Sequence, residues 1–391
     1  MLAAATSLLC VLAAAGGFGW TASAGSRARG RTEPVGDARA SLGEEELSGA
    51  LGASLQAPDL TASINYASDL LLRKVFSGPS AEAGDALRQT GRFELGTRLA
   101  PATRLISLTG LDWGLTDFSP LSAPGPALLL PGALGNVLLP SQRFVRTLLI
   151  RTSLGLTQDI SPRLQLAASA GFQRSGGEGH DAVLVIPFQR GPEAVASLRF
   201  FVDRFTTMSL LADASYSHFG FGRDSLLSNL AAAWTLRATR EVLFNATAGA
   251  ALVRSQGPDL ARAIYASGAL GAAWNRQLSA QSVLRTSVQG RLLPGVDRLT
   301  ALGSQALRGD AGLDLSLGKT RASLSGSAGR TVKGAQVGAR TLRLELRIGR
   351  AVFREWDLEG GIAAAASNQA PFAGWQSQAF LGLRWSDGGP L

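Results

Sequence analysis

The stretch Arg340-Thr-Leu-Arg-Leu-Glu-Leu-Arg-Ile-Gly-Arg350 decides the fold class. Its even positions from 342 to 348 are all apolar, and the odd positions between them are all charged. A period of two is that of a β-strand with two unlike faces, and it excludes a helix. Arg340 and Arg350 bound the apolar face after ten steps, which rise about 23 Å at about 3.3 Å per residue and about 45° of tilt. This height matches the apolar wall of an outer-membrane barrel.

The composition agrees with a membrane barrel. The 391 residues include 47 glycines, 46% are hydrophobic and only 17% are charged, whereas soluble domains have about 25% charged residues. Beyond the first residues, no run of 18 apolar residues would span a membrane as a helix. A closed barrel is the other structure that satisfies every backbone polar group in lipid. A soluble β-sandwich shows the same alternation and remains the alternative.

Short turns alternate with long loops along most of the chain. We predict short turns at 100–103, 160–163, 203–205, 238–241, 275–279, 319–320 and 352–355. We predict long, Gly- and Pro-rich loops at 78–87, 118–142, 175–193, 218–225, 255–261, 293–307, 333–338 and 368–374. This asymmetry is typical of bacterial outer-membrane barrels, whose short turns are periplasmic.

The strand count is 18, with 16 as the alternative. We place strands at 47–56 and 60–67 and a third after a turn at Tyr66–Leu70, so the count falls to 16 if Leu60–Phe76 is one strand and residues 47–56 lie outside the wall. Residues 104–117 fit either register. The fold prediction is therefore an all-β transmembrane antiparallel barrel over residues 46–386, with a short tail at 387–391.

The amino-terminal residues predict export. Residues 1–24 carry an apolar run at Leu8–Ala15 and the small residues Ala22-Ser23-Ala24, as in a cleaved signal peptide. The run lacks a preceding Lys or Arg, which leaves open a start further upstream. Residues 25–45 are predicted to be a flexible periplasmic lead-in. The single cysteine, Cys10, lies in the signal, so the mature chain has no disulfide or thiolate site.

Tryptophans mark the strand ends in this topology. Outside the predicted signal none falls at mid-strand, as two aromatic girdles at the membrane interfaces require. The predicted periplasmic girdle comprises Trp234, Trp274, Trp356 and Trp385, and the predicted outer girdle comprises Trp113 and Trp375.

The net charge of +9 and pI near 10.8 would suggest nucleic acid in a soluble protein. Here the charges follow the polar faces of strands, so we expect no nucleic-acid partner and a basic lumen. The predicted inward arginines are Arg92, Arg98, Arg151, Arg199, Arg237, Arg285, Arg291, Arg343, Arg347 and Arg384. The predicted inward acids are Glu94, Asp213, Asp314, Glu345, Asp357 and Glu359. Whether these charges only pair across strands stays open.

The sequence offers little chemistry. The two histidines, His180 and His218, both fall in predicted outer loops, and no cluster has metal-ligand spacing. His218 with Asp213 or Asp224 is the one candidate for a hydrolase at the rim. We therefore predict a protein that is not an enzyme and that needs no cofactor or metal.

Four stretches resemble the outer-membrane barrels of polysaccharide secretion, the last conduit of Wzx/Wzy-type exopolysaccharide export. They are Tyr66-Ala-Ser-Asp-Leu-Leu-Leu-Arg73, Asp117-Phe-Ser-Pro-Leu121, Ile160-Ser-Pro-Arg-Leu164 and Pro187-Phe-Gln-Arg-Gly-Pro192. The chain differs from the expected pattern at Ala67-Ser68-Asp69, where a Ser-Pro-Arg turn is expected.

The resemblance implies a channel in the outer membrane of a Gram-negative bacterium, reached by Sec-type export with cleavage near Ala24. Its implied partners are outer-membrane lipid, a secreted polysaccharide and a periplasmic polysaccharide-export protein, and the basic lumen favours an acidic polymer. A general diffusion porin is the alternative function. A barrel hydrolase or a surface-anchoring protein is a third.

Overall fold

Consecutive strands pair along the whole chain. The computed structural model describes residues 17–35, 38–78, 85–117, 121, 144–256, 261–334, 337–368 and 373–390. The strands are β1 Gly17–Val35, β2 Ala38–Ala57, β3 Leu60–Ser77, β4 Ala86–Ala100, β5 Thr103–Asp117, β6 Phe144–Ser161, β7 Leu164–Gly177, β8 Gln189–Phe201, β9 Thr206–Phe219, β10 Asp224–Arg237, β11 Val242–Gln256, β12 Ala261–Ser279, β13 Ser282–Val296, β14 Gly303–Leu317, β15 Thr320–Lys333, β16 Arg340–Ala351, β17 Trp356–Ser367 and β18 Gly374–Pro390. One short helix, α1 His180–Val185, lies between β7 and β8.

The sheet closes on itself. Each strand pairs antiparallel with the next, and β18 pairs with β1 over Gly19–Thr32. The prediction of an 18-stranded antiparallel barrel is confirmed, and the sandwich alternative is wrong. Closure leaves no strand edge unpaired, which is what a sheet needs inside a lipid bilayer. No described helix has the length and apolar character to cross a membrane.

Apolar side chains point away from the barrel axis. In β16 the outward Leu344 is 49% exposed, whereas the inward Glu345 is 7% exposed. Two of the most exposed large apolar residues in the strands, Leu270 at 70% and Ile264 at 69%, lie on outward positions of β12. A soluble protein would bury such a surface, so this face contacts lipid.

The amino-terminal predictions need correction. The flexible lead-in over 25–45 is wrong, because residues 17–35 and 38–57 form β1 and β2 and pair along their full lengths. The predicted signal peptide stays a prediction, since residues 1–16 lie outside the described chain. Its end near Ala24 conflicts with the structure, because residues 17–24 pair with β2 and, from Gly19, with β18. The barrel therefore includes the described residues from Gly17 onward and does not begin at residue 46.

The first strands also differ in detail. Leu60–Ser77 is one continuous strand, so the predicted turn at Tyr66–Leu70 is wrong. Asp69 occupies an inward position opposite Arg88 of β4, which makes it a lumen residue and not a turn residue. The count of 18 survives because β1 replaces the strand that this turn would have created. The predicted carboxyl-terminal tail at 387–391 is also wrong, because residues 387–390 belong to β18; Leu391 lies outside the described residues.

The short turns, and the long loops as far as they are described, otherwise lie close to where the pattern places them. Of the predicted loops, residues 79–84, 118–120, 122–142, 257–260, 335–336 and 369–372 lie outside the described residues. Most short turns lie within the predicted segments, and the turn predicted at 275–279 lies instead at 280–281, after the end of β12. The open register of residues 104–117 is settled by pairing with β4 and β6, which puts Asp112 inward and Trp113 outward. The structure thus gives one end with short turns and one with long loops, which we call the periplasmic and outer ends.

Candidate functional site in the barrel lumen

The inward face is identified by contacts between strands that are not neighbours. Arg151 Nε in β6 donates to Glu193 Oε1 in β8 at 2.6 Å. Arg27 Nε in β1 donates to Glu359 Oε1 in β17 at 3.0 Å. Each contact crosses the strand that lies between its partners. Side chains two strands apart can meet in this way only on the concave, inner side of a barrel. The pairing registers then assign the inward positions of every other strand.

All ten predicted arginines share this inward parity with Arg151 through the pairing registers. The predicted inward acids occupy the same face. The structure does not gather these residues into one cluster. It distributes them between two levels of the lumen, which differ in whether the guanidinium groups have carboxylate partners.

An ion-paired belt lies in the middle and outer parts of the lumen. Arg291 Nη2 is 2.7 Å and Arg308 Nε 2.9 Å from Asp310, and Arg343 Nη2 is 2.7 Å from Glu345, which Arg347 also contacts. The remaining pairs of this belt are Arg27 and Arg29 with Glu46, Arg27 with Glu359, Arg31 with Glu33 and Asp117, Arg88 with Asp112, Arg92 with Glu94, and Arg151 with Glu193. Charges here are largely neutralised locally.

A free arginine belt lies at the periplasmic end of the lumen. Its five members are within a few residues of the short turns and are all exposed: Arg98, Arg104, Arg199, Arg237 and Arg321. Arg98 Nη2 donates to Pro101 O at 2.9 Å and Arg199 Nη1 donates to Gln165 Oε1 at 3.3 Å. Within the described ranges, none of the five forms an ion pair. Arg285 and Arg384 lie at the same end, but each is directly opposite a carboxylate, Asp314 and Asp357.

Sequence reasoning missed much of the ion-paired belt. Arg27, Arg29 and Arg31 alternate with Ala28 and Gly30, and this period of two was the available signal. This alternation is hard to recognise because the stretch directly follows the predicted signal peptide, where a flexible lead-in is expected. The other missed inward charges include Glu33, Glu44, Glu46, Asp69, Arg73, Arg88, Asp112, Glu193, Arg308 and Asp310, together with Arg104 and Arg321 of the free arginine belt.

The outer loop at 297–302 folds into the lumen. Ala301 O accepts hydrogen bonds from Ser225 Oγ at 2.5 Å and Ser255 Oγ at 2.6 Å, both on inward positions. Arg298 Nη2 donates to Ser175 Oγ at 2.6 Å, and Ser175 lies in β7, six strands from β13. Asp297 is fully buried and its Oδ1 accepts from Leu299 N at 2.8 Å. The loop therefore crosses part of the outer opening.

Arg298 destabilises the docked position of the loop at 297–302. Burial lowers the pKa of its guanidinium to about 10, so the group is still charged at neutral pH. Its Nη1 is buried and has no hydrogen-bond partner among the described residues. A buried cation with an unsatisfied donor destabilises the state that holds it. The docked loop thus carries a cost that it would lose on leaving the lumen.

Two other outer segments also enter the barrel. Ile186, just after α1, packs against the inward Val145 of β6. Leu121, from the loop between β5 and β6, packs against Ala363 and Ala365 on the inner face of β17. By contrast, a cavity of about 1350 Å³ remains against the inner wall from β18 and β1 to β6, lined in part by Arg92 and Arg384. This open volume extends to Arg354 and Glu355 in the last periplasmic turn.

The comparison with known families decides what kind of barrel this is. The profile of the EpsX exopolysaccharide export family matches residues 8–259. The chain belongs to this family. The family therefore agrees with the resemblance seen in the sequence, and the protein is an outer-membrane β-barrel of exopolysaccharide export. No curated protein matched the chain in a separate search.

Solved structures of similar shape include outer-membrane proteins of two bacteria. Pseudomonas aeruginosa OpdK with vanillate is 12% identical, with a TM-score of 0.48 over 95% of this chain and 99% of that one. Acinetobacter baumannii OccAB4 is 11% identical, with a TM-score of 0.49 over 95% and 98%.

The six predicted girdle tryptophans of this EpsX family member all lie on outward positions: Trp113, Trp234, Trp274, Trp356, Trp375 and Trp385. Trp274 Nε1 donates to Glu241 and Trp385 Nε1 to Glu355, each at 3.1 Å, in the periplasmic turns. Trp20, which the sequence placed in the signal, is also outward at the periplasmic end of β1. A tryptophan with its ring toward lipid and its N–H toward polar groups suits a membrane interface.

Of the two His–Asp pairs that the sequence offers for a hydrolase, the structure brings together His218 and Asp224 and separates His218 from Asp213. His218 Nδ1 lies 2.6 Å from Asp224 Oδ1 on the outward face, opposite Arg190. Asp213 is on the inward face, where its Oδ1 accepts a hydrogen bond from Asn229 Nδ2 at 2.8 Å. Among the described residues, no group of three or more His, Cys, Asp and Glu side chains is placed to hold a metal ion.

Proposed function

We propose that the barrel lumen is the terminal conduit through which an acidic exopolysaccharide passes from the periplasm to the cell surface. The free arginine belt supports this proposal most directly. It puts exposed cations at the end where an exported polymer would enter, whereas the arginines further out are already neutralised by carboxylates. A polymer with repeated carboxylate or other anionic groups is the ligand that fits such a belt.

The belt acts through many weak contacts. Each hydrated guanidinium contributes only on the order of 1 kcal/mol at contact distance. Five of them around one mouth act on a single polymer, so they concentrate it without holding any one sugar tightly. Binding that is weak at each site also lets the polymer move on, which a conduit requires. The inward acids of the ion-paired belt then keep the polymer from binding firmly in the middle of the lumen.

Passage requires the outer end to open. The loop at 297–302 is held by a few hydrogen bonds, each of net value about 1 kcal/mol, and it buries Nη1 of Arg298 without a hydrogen-bond partner among the described residues. We propose that this loop moves aside when polymer enters. No covalent chemistry is needed for this role, so we propose a channel and not an enzyme.

The short turns are the proposed contact surface for a periplasmic polysaccharide-export protein. They carry both signs of charge, among them Arg204, Arg240 and Lys319 beside Asp203 and Glu241. In the first of these turns, hydrogen bonds from the backbone N–H groups of Phe205 and Thr206 lower the pKa of Asp203. The ionised Asp203 carboxylate therefore stabilises the turn at pH values above the ordinary carboxyl pKa. This stabilisation is lost as the pH falls from there through the lowered pKa of the folded protein.

A block of the lumen tests the conduit. Ser325 is exposed on the inward face of β15, and its neighbour Leu324 is exposed on the lipid face. A Ser325→Cys variant, labelled from the periplasmic side of spheroplasts with a bulky, charged maleimide, should lose surface polysaccharide. The Leu324→Cys variant, treated in the same way, should keep it.

Normal export by the fully labelled Ser325→Cys protein would contradict the proposal. Loss of small-solute uptake with unchanged export would support the diffusion porin instead. Labelling is measured by the mass of the recovered protein, so that an unlabelled cysteine is not mistaken for a tolerated block.

A further inference from the structure

A groove of about 730 Å³ lies on the lipid-facing side of the barrel, across β13 to β17. Its walls are formed by outward apolar residues such as Leu307 and Leu342. Its floor is shallow because Gly290, Gly309 and Ala328 stand side by side in the pairing register. A Cβ atom added at either glycine would meet no heavy atom within 4 Å, so the groove is open.

Two arginines stand at the outer end of this groove. Arg330 of β15 and Arg340 of β16 are directly opposite each other, and both are exposed on the outward face. Neither forms an ion pair with any residue that the structure describes. Like charges in directly opposed positions destabilise a sheet. An anion between the two guanidinium groups would remove that repulsion.

The position fixes which part of the membrane faces the site. Arg340 ends the apolar face of β16 on the outer side, and Arg350 ends it on the periplasmic side. The arginine pair is therefore at the height of the outer-leaflet headgroups, while Leu342 and Ala328 face the acyl chains below. The outer leaflet of a Gram-negative outer membrane consists largely of a phosphorylated, acylated glycolipid.

We propose that this groove binds one such glycolipid, with a phosphate between Arg330 and Arg340 and an acyl chain over Gly309 and Ala328. Guanidinium groups form paired, charge-assisted hydrogen bonds with phosphate oxygens. The groove supplies the contact area for the chain, which a plain convex wall would lack. This inference is independent of which polymer crosses the lumen.

The barrel contains a matched control. Arg254 of β11 and Arg262 of β12 form the same directly opposed, exposed pair at the outer end of the lipid-facing wall. Neither residue lines the groove across β13 to β17. Removal of this pair changes the net charge by the same amount and leaves the groove intact.

Lipid binding to the purified full-length protein in detergent tests the proposal by native mass spectrometry. The probes are bisphosphorylated lipid A, dephosphorylated lipid A, phosphatidylglycerol and inorganic phosphate. Wild type and the Arg254→Gln/Arg262→Gln variant should bind bisphosphorylated lipid A alike. The Arg330→Gln/Arg340→Gln variant should bind it at least tenfold more weakly.

The groove is tested separately by Gly309→Leu, which fills it without touching the arginines. This variant should also bind lipid A at least tenfold more weakly. Far-UV circular dichroism checks that its barrel is folded, and Gly290→Leu is used instead if Gly309→Leu does not fold. Undiminished binding by either the arginine or the glycine variant would overturn the proposal. Equal binding of phosphatidylglycerol, or competition by inorganic phosphate at the same concentration, would also overturn it.

Discussion

An arginine at Leu344 tests both the register and the membrane position of the wall. Leu344 lies four residues from Arg340 and six from Arg350, which at about 2.3 Å of rise per tilted residue places it about 9 Å and 14 Å from the two edges. This is near the middle of the apolar band. Leu344→Arg should therefore lower the free energy of unfolding in lipid vesicles by about 2 to 4 kcal/mol, and Leu342→Arg, about 5 Å from the outer edge, by about 1 kcal/mol or less.

The matched control lies on the next residue. Arg343 faces the lumen, and its partner Glu345 also contacts Arg347, so Arg343→Gln should cost only about 1 kcal/mol. The assay is reversible denaturant unfolding in vesicles, read by tryptophan fluorescence. Equal costs for Leu344→Arg and Arg343→Gln would refute the register. Equal costs at 342 and 344 would refute the depth.

Three further outcomes are expected. Replacing Arg98, Arg104, Arg199, Arg237 and Arg321 by Gln should reduce anion selectivity in planar bilayers at low salt, with little effect at high salt; unchanged selectivity would contradict the role of the free arginine belt. Ser175→Ala, which removes the hydrogen-bond acceptor of Arg298 Nη2 and leaves the costly guanidinium in place, should raise the single-channel conductance, and an unchanged conductance would show that the loop does not restrict the opening. Mass spectrometry of the mature protein should find residues 17–24 retained, because they complete β1; a terminus at Gly25 would contradict that pairing.

The wall was predictable because its signal is local. In β16 the alternation of leucine with charge is imposed by lipid on one side and water on the other, and each strand shows it without reference to its neighbours. Short turns and long loops are local signals too. These together were enough for the barrel and for the orientation of most strands. The count of 18 was reached only because the missed β1 offset the extra strand expected within Leu60–Ser77.

The first strands were not predictable in the same way. The apolar and small residues of β1 satisfy both a signal peptide and a Gly-rich barrel strand, so residues 17–24 could be read as either. In β3, Asp69 interrupts an apolar stretch as a turn residue would. Only its position opposite Arg88 of β4 shows that it is an inward residue.

The division of the lumen charges depends on pairing between strands. One strand shows that Arg291 and Arg321 both face inward, but it cannot show which has a carboxylate within reach. Arg291 meets Asp310 across the β13–β14 ladder, whereas Arg321 lies opposite Ser316 and Gly349. The inward loop at 297–302 was also beyond a sequence pattern, because it is held by Ser175, Ser225 and Ser255 from three different strands.

The most direct test of the central claim is the distribution of exopolysaccharide in a strain that lacks this protein and keeps its synthesis enzymes. Polymer is quantified separately on the cell surface and in the periplasmic fraction, with a complemented strain as control. We predict that surface polymer is lost, that polymer accumulates in the periplasm, and that complementation restores the surface fraction. A normal amount of surface polymer in the deletion strain would contradict export through this barrel.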